Sequence, residues 1–304
     1  MEPTLSFSDY DPILWLSQNS GALAVVTQTV GPSYRPVGAM MAIGENGTLI
    51  GSLSSGCIEA DIVTQALEHT EPGQTRKVKY GEGSPFMDLI LPCGGGLEIG
   101  IIRRPDTSVI SRLADAITHR QGTQLCIDFE THQILDEAFA AAQNTTHIAL
   151  PPSLQFLVFG KGPEASTFAT LSHFAKFPTN LISPDQETLA TADAFGIETN
   201  HITAANFPET LAVDDRTAVV LFFHDHDWEP PLLKAALETP AFYIGAQGSQ
   251  NARALRTLEL QTLCVTQADL ARLKGPIGLI PSARDARTLA VSVLAEILDC
   301  ARTL

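Results

Sequence analysis

Cations are scarce in this chain. Lys and Arg total 19 against 34 Asp and Glu in 304 residues, for a formal net charge of −15. A field of that sign repels phosphate backbones and anionic lipid, which argues against nucleic-acid or membrane-surface binding as a general function. A small anion is not excluded, because main-chain N–H groups and a few local cations can hold one. Long apolar runs are missing too, and none approaches the ~18–20 residues of a membrane span. The opening residues, Met1-Glu2-Pro3-Thr4, carry no basic region followed by an apolar stretch. No secretory leader is therefore expected, and the cytoplasm is the expected compartment. The five cysteines (Cys57, Cys93, Cys126, Cys264 and Cys300) are odd in number and form no Cys-x-x-Cys pair. That argues against a disulfide framework or a structural zinc site and for reduced thiols. No repeat of fixed period and no low-complexity segment is visible.

What is present suffices for a substantial core: 44% of residues are hydrophobic. The length suggests about two domains. The first half reads as α+β. A helix is expected over 9–17, strands over 22–30, 39–43 and 48–52, and a hairpin turn at Gly44-Glu45-Asn46-Gly47. Ile58, Ile62 and Ala66 recur every four residues and predict a helix over 58–68. Strands over 77–80, 97–102 and 124–129 and a helix over 107–119 follow. Residues 138–152 run from Ala-rich to polar to Pro-Pro, and the domain boundary is placed there. Beyond it strands at 155–159, 180–182, 218–223 and 242–244 alternate with helices at 163–174, 186–194, 231–237 and 250–260. A last helix spans 288–298. That alternation predicts a parallel sheet covered by helices on both faces.

Leu157-Val158-Phe159-Gly160-Lys161-Gly162-Pro163-Glu164-Ala165 is a strand entering Gly-x-Gly-x-x-Ala. In that pattern Gly160 permits a tight turn, Gly162 lets a ligand approach, and Ala165 brings helix and sheet together. The helix N-terminus then offers amide donors to a phosphate. The alternative is an empty Rossmann-like turn. Dinucleotide sites also place an acid at the end of the second strand. Here Ser183 stands there, followed by Pro184 and Asp185. A phosphate-bearing ligand is therefore a firmer expectation than NAD. His224-Asp225-His226-Asp227 and Gly245-Ala246-Gln247-Gly248-Ser249 follow two further strands, so their polar residues should gather at the same sheet edge. An exposed turn, or a helix cap at Asp227, is the plainer reading of the His-Asp run. Alternating neighbours also aim poorly at one metal ion.

Two cysteines are flanked by glycine, in Ser54-Ser55-Gly56-Cys57-Ile58-Glu59 and Pro92-Cys93-Gly94-Gly95-Gly96. A thiol at a helix start ionises more readily, and a glycine run exposes backbone donors. Each alone fits a packed thiol. Together they also fit a sulfur or soft-metal role. Cys126, Cys264 and Cys300 are assigned to packing.

Seven segments taken in order resemble the XdhC/CoxI family over most of the chain. They are 51–62, Cys93-Gly94-Gly95, the Gly160 loop, Phe223-His224-Asp225-His226, 242–253 with Gly248-Ser249, Pro276-Ile277-Gly278-Leu279, and 290–297. The resemblance implies an α/β protein with a CoxI-like α+β domain at 1–150 and a Rossmann-like doubly wound parallel sheet domain at 151–304. It also implies a carrier without turnover. Such a carrier binds the molybdenum cofactor, protects it, supports its sulfuration with a cysteine desulfurase, and inserts it into a xanthine dehydrogenase-type molybdenum hydroxylase. By that analogy Cys57 and Cys93 contact molybdenum or sulfur, with Gly94 and Gly95 beside them. Gly160, Lys161, Gly162, Ser183, His224, His226, Gly248 and Ser249 would line the cofactor site, and the Gly160 loop would hold the pterin phosphate or a nucleotide. A homodimer is expected from the frequency of such assemblies. Two other readings stay open. One is an NAD(P)-dependent oxidoreductase using His224 or His226 as acid–base. The other is a non-catalytic docking module whose acidic surface recognises partners.

Overall fold

Two compact units divide the chain, Met1–Pro152 and Ser153–Leu304. The structure, a computed structural model, describes residues 9–54, 56, 58–81, 94–136, 145–224 and 227–304. In the first unit α1 (Asp11–Leu16) precedes strands β1 (Gly21–Val30), β2 (Met40–Gly44) and β3 (Leu49–Gly51). Then come α2 (Glu59–Leu67), β4 (Thr75–Gly81), β5 (Gly96–Arg103) and α3 (Thr107–Thr118), followed by β6 (Thr123–Asp128), β7 (Gln133–Leu135) and β8 (Thr145–Leu150). The first five strands form an antiparallel sheet in the order β3-β2-β1-β5-β4, and the last three a small sheet in the order β7-β6-β8.

The central strand β1 is apolar on both faces because both are covered. Leu23 and Val25 join a core with Val109, Ile110 and Leu113 of α3 and with Leu125, Ile127, Ile148 and Leu150 of the small sheet. Ala22, Ala24 and Val26 face the opposite way, toward Ile62 and Ala66 of α2. The four-residue spacing that predicts α2 is thus the spacing of its buried stripe. Burying an isoleucine such as Ile62 contributes about 1.5–3 kcal/mol, and an alanine such as Ala66 less. Strand β8 lies inside the stretch read as linker. Its Thr-Thr-His-Ile-Ala-Leu run is half polar, but pairing with β6 from Leu150 to Thr145 makes it a strand.

The second unit begins with β9 (Gln155–Gly160), α4 (Pro163–Phe174), β10 (Thr179–Ser183), α5 (Gln186–Asp193) and β11 (Glu198–His201). It continues with β12 (Thr217–Phe222), α6 (Glu229–Leu237), β13 (Tyr243–Ala246), α7 (Gln250–Thr262), α8 (Gln267–Arg272), β14 (Leu273–Lys274) and α9 (Ala286–Ala301). Every strand pair is parallel, in the order β11-β10-β9-β12-β13-β14. This is the doubly wound arrangement, whose order reverses between β9 and β12. Phe156 and Val158 of β9 pack with α4, α5 and α9, whereas Leu157 and Phe159 pack with α6 and α7. A parallel strand covered on both sides needs such an unbroken apolar run.

Cys126 is buried, with its Sγ 3.2 Å from His147 Nδ1, and Cys300 is half-buried. Cys264 departs from expectation. It is exposed and sits just past α7 with φ +63°, so it ends a helix and does not pack. No described helix is long and apolar enough to cross a membrane.

Candidate functional site

In the first unit the cysteine-bearing segment before α2 is organised by one carboxylate. Glu59 is the first residue of α2, and its side chain folds back over the preceding loop. Its Oε1 accepts from Ser52 Oγ (2.9 Å), Leu53 N (3.2 Å) and Ser54 N (2.8 Å). Its Oε2 accepts from Ser54 Oγ (2.5 Å), Gly56 N (2.9 Å) and Ile58 N (3.2 Å). Burial alone would raise the Glu59 carboxyl. The donors from Ser54, Gly56 and Ser52 overcome that and hold it at about 2.

Cys57 itself lies outside the described residues, as does Cys93. The residues on either side of Cys57 both donate their amides to Glu59. This alters the electrostatics expected of a thiol at a helix start. The positive end of α2 is already met by a negative charge, that of Glu59. Beside the loop is a cavity of about 340 Å³ whose lining includes Gly51, Ser52 and the cation Arg35. Gly94 is exposed. Gly95 lies against the backbone carbonyls of Val30 and Pro32, which leave no room for a side chain.

In the second unit those predicted residues that the structure describes gather at the carboxyl ends of β9, β10, β12 and β13. Two glycines there divide their work differently from the motif. Gly160 is extended and packed, since a Cβ would lie 2.5 Å from Phe222 O and 3.0 Å from Ala165 Cβ. Its bareness serves the β9–β12–α4 contact. Gly162 makes the turn, at φ +83° and ψ −167°, and a Cβ there would meet Glu164 Oε2 at 3.9 Å, an ordinary contact. The amides of this loop are largely committed. Lys161 N donates to Phe222 O (3.3 Å) and Gly162 N to Thr188 Oγ1 (2.9 Å), and Pro163 has no N–H.

Thr188 in turn donates to Asp185 Oδ2 (2.5 Å), which caps α5. The Thr188 hydroxyl and amide, with Lys161 nearby, hold Asp185 below the usual carboxylate range. Ser183 is fully buried, and its hydroxyl accepts from Asp185 N (3.0 Å). The strand-end position that binds ribose in dinucleotide enzymes is thus turned inward.

Across the switch point, His224 Nε2 lies 3.5 Å from Glu164 Oε2 and 3.3 Å from Gln247 Nε2. Gln247 is 7% exposed. Its Nε2 reaches Phe223 O at 3.5 Å, while its Oε1 has no hydrogen-bond partner among the described residues. Behind it Arg256 donates to Gln247 O (2.7 Å) and makes a two-point ion pair with Glu229 (2.9 and 3.1 Å), both side chains 2% exposed. Gly248 follows at φ +140°, and Ser249 caps α7 by accepting from Ala252 N.

Asp225 and His226 lie outside the described residues. Asp227 is not the cap of α6, which starts after Trp228. Among the described residues no group of three or more His, Cys, Asp or Glu is placed to hold a metal.

The structure thus brings Gly160, Lys161, Gly162, Ser183, His224, Gly248 and Ser249 to one edge of the parallel sheet. Sequence reasoning missed Glu59, Glu164, Gln247 and Arg256. The available signals were an acid at the first position of a predicted helix and a lone amide ending a buried strand. Around the His224 ring the Glu164 carboxylate offers an acceptor and the Gln247 side-chain nitrogen a donor.

Two family models match the chain. One described as "XdhC and CoxI family" covers residues 14–81, and one described as "XdhC Rossmann domain" covers 156–297. A molybdenum cofactor insertion chaperone, PaoD of Escherichia coli strain K12, is 30% identical over 93% of this chain and 84% of its own length. A probable xanthine dehydrogenase subunit of Bacillus subtilis strain 168 is 24% identical over 93% of both chains. The fold is shared with the crystal structure of a xanthine dehydrogenase from Bacillus halodurans. That match has a TM-score of 0.77 at 20% identity, covering 97% of this chain and 96% of the other.

Proposed function

The chain belongs to the XdhC and CoxI family, and from that premise we propose that it carries the molybdenum cofactor and inserts it into a xanthine dehydrogenase-type molybdenum hydroxylase. The likeness to PaoD along nearly the whole chain carries this reading. The donor set fits the cargo. The thiols of Cys57 and Cys93, losing their protons as metal binds, would suit a soft, sulfur-coordinated metal. Glu59 holds the amides of Ser54, Gly56 and Ile58, and the cavity lined by Gly51 and Ser52 adds space and the cation Arg35 for an anionic metal end.

In the second unit Lys161 is the cation for the cofactor's phosphate, within the edge formed by Gly160, Gly162, Ser183, His224, Gly248 and Ser249, with His226 a further proposed contact. A cysteine desulfurase supplies sulfur to the bound cofactor, and the working state is a cytoplasmic homodimer. The chain's own residues bind, orient and shield the cargo, and none is asked to turn over a substrate.

The test is anaerobic loading. Purified protein is mixed with molybdopterin, passed through a desalting column, and assayed for retained pterin and for activation of the apo-hydroxylase. Wild type should retain and deliver, and a variant with both Cys57→Ala and Cys93→Ala should lose both. A double variant that retains and activates as wild type does removes the thiols from the mechanism. A wild type that retains nothing removes the carrier reading.

A further inference from the structure

We propose that the cavity between α7, α8 and β14 is a phosphate site, in which Arg253, Lys274 and the Nη1 nitrogen of the buried Arg256 hold a phosphate dianion, free or as a monoester. The inference goes beyond the carrier reading and does not depend on it.

Spacing builds the cavity. Arg253, Arg256 and Thr257 stand three and four residues apart, which puts them on one face of α7. Strand β14 pairs with β13 and brings Lys274, followed by Gly275, to that face, and α8 adds Gln267. Together they line a space of about 160 Å³. Sites for whole small molecules run to about 300–1,000 Å³, so this one has room for a headgroup. It lies at the β14 edge of the sheet, with β12 and β13 between it and the Gly160 loop on β9.

Charge is the second observation. The lining holds three of the chain's 19 cations and, among the described residues, no Asp or Glu. Arg253 and Lys274 are exposed, and neither makes an ion pair among the described residues. The acids of neighbouring elements are otherwise engaged. Glu229 of α6 is taken by Arg256, and Asp269 of α8 accepts from Thr266 Oγ1 (2.6 Å). In a chain of net charge −15, two unpaired cations facing one small space reverse the local field.

The third is Arg256, which is 2% exposed and lines the cavity. Its Nε and Nη2 donate to Glu229 and its Nη2 also to Gln247 O, while Nη1 makes no hydrogen bond among the described residues. A Cβ at Gly275 would stand 3.4 Å from that nitrogen, so the glycine keeps the approach to it clear. An unanswered donor on a buried guanidinium is unfavourable, and an anion in the cavity satisfies it. Because Glu229 fixes the guanidinium, the donor is in place before a ligand arrives. Two unpaired charges match a dianion, and donors from α7, α8 and β14 meet a tetrahedral oxyanion from several sides.

The experiment titrates the full chain by calorimetry in about 0.15 M sodium chloride, which screens loose surface binding. The probes are inorganic phosphate, phenyl phosphate and acetate. Phosphate should bind, and acetate should bind at least tenfold more weakly. Phenyl phosphate binding as well as phosphate does, or better, supports a site for the phosphate of an organic ester, and its exclusion supports a site for the free ion.

The double variant Arg253→Ala, Lys274→Ala removes two exposed side chains. It should fold as wild type does and lose about tenfold or more in phosphate affinity, because charged hydrogen bonds are lost. Phosphate should raise the unfolding midpoint of wild type and leave that of the double variant unmoved. Lys161→Ala separates this cavity from the Gly160 loop and should leave the phosphate affinity within twofold of wild type. No phosphate binding at millimolar concentration, equal binding of acetate, or unaltered affinity in the double variant overturns the proposal. So does phosphate binding that Lys161→Ala abolishes, which places the anion at the Gly160 loop.

Discussion

Glu59 gathers four backbone amides and two hydroxyls onto one carboxylate. Glu59→Gln keeps the shape but removes the charge and half of the acceptor capacity. It should destabilise the first unit by about 2 kcal/mol, read from the urea midpoint at pH 7. The pH dependence follows from the folded value of about 2 against an ordinary 4.5. A depressed carboxyl contributes its full stabilisation above the unfolded value and loses it as pH falls toward the folded one. The wild-type advantage over Glu59→Gln should therefore be constant above about pH 5 and shrink between 4.5 and 2. An advantage independent of pH across that window would contradict the hydrogen-bonding account. Gly160→Ala tests the second unit in the same way. Its Cβ would sit 2.5 Å from a carbonyl oxygen of the paired strand, so a loss of about 1–3 kcal/mol is expected in chemical denaturation. Cys264→Gly should go the other way and stabilise by roughly half a kcal/mol or more, because the position is left-handed and exposed.

Helices α6 and α7 are tied by a charge pair that solvent does not reach, Glu229 with Arg256. Removing one partner strands the other, so Glu229→Gln or Arg256→Met alone should destabilise by about 3–5 kcal/mol, and the double variant should recover much of the loss. A double-mutant cycle by urea unfolding measures this, and two single variants within 1 kcal/mol of wild type would refute it. Elements that bury a regular stripe were legible from spacing alone. Strands β9 and β12 read as apolar runs, and the last helix, α9, buries the Val293 and Ile297 that its spacing marks. Strand β11, Glu-Thr-Asn-His, and helix α8, Gln-Ala-Asp-Leu-Ala-Arg, were not. They lie at opposite edges of the sheet with little apolar content, and β11 exists because β10 pairs with it. The same distinction governs the site. The glycine loop announces itself locally, whereas Gln247 and Arg256 look like surface residues until the sheet and α6 close over them.

Each unit has apolar clusters on both faces of its main sheet, and those clusters draw on residues of that unit alone. A fragment of residues 153–304 should therefore fold by itself and unfold in a single cooperative urea transition with matching fluorescence and circular-dichroism midpoints. A fragment that shows no transition would mean that its core depends on the first 152 residues. The amide commitments in the Gly160–Gly162 turn have one more consequence. Because Phe222 and Thr188 already answer those donors, the loop needs no guest to hold its shape. A turn closed by the chain's own acceptors keeps its form whether or not anything lies against it.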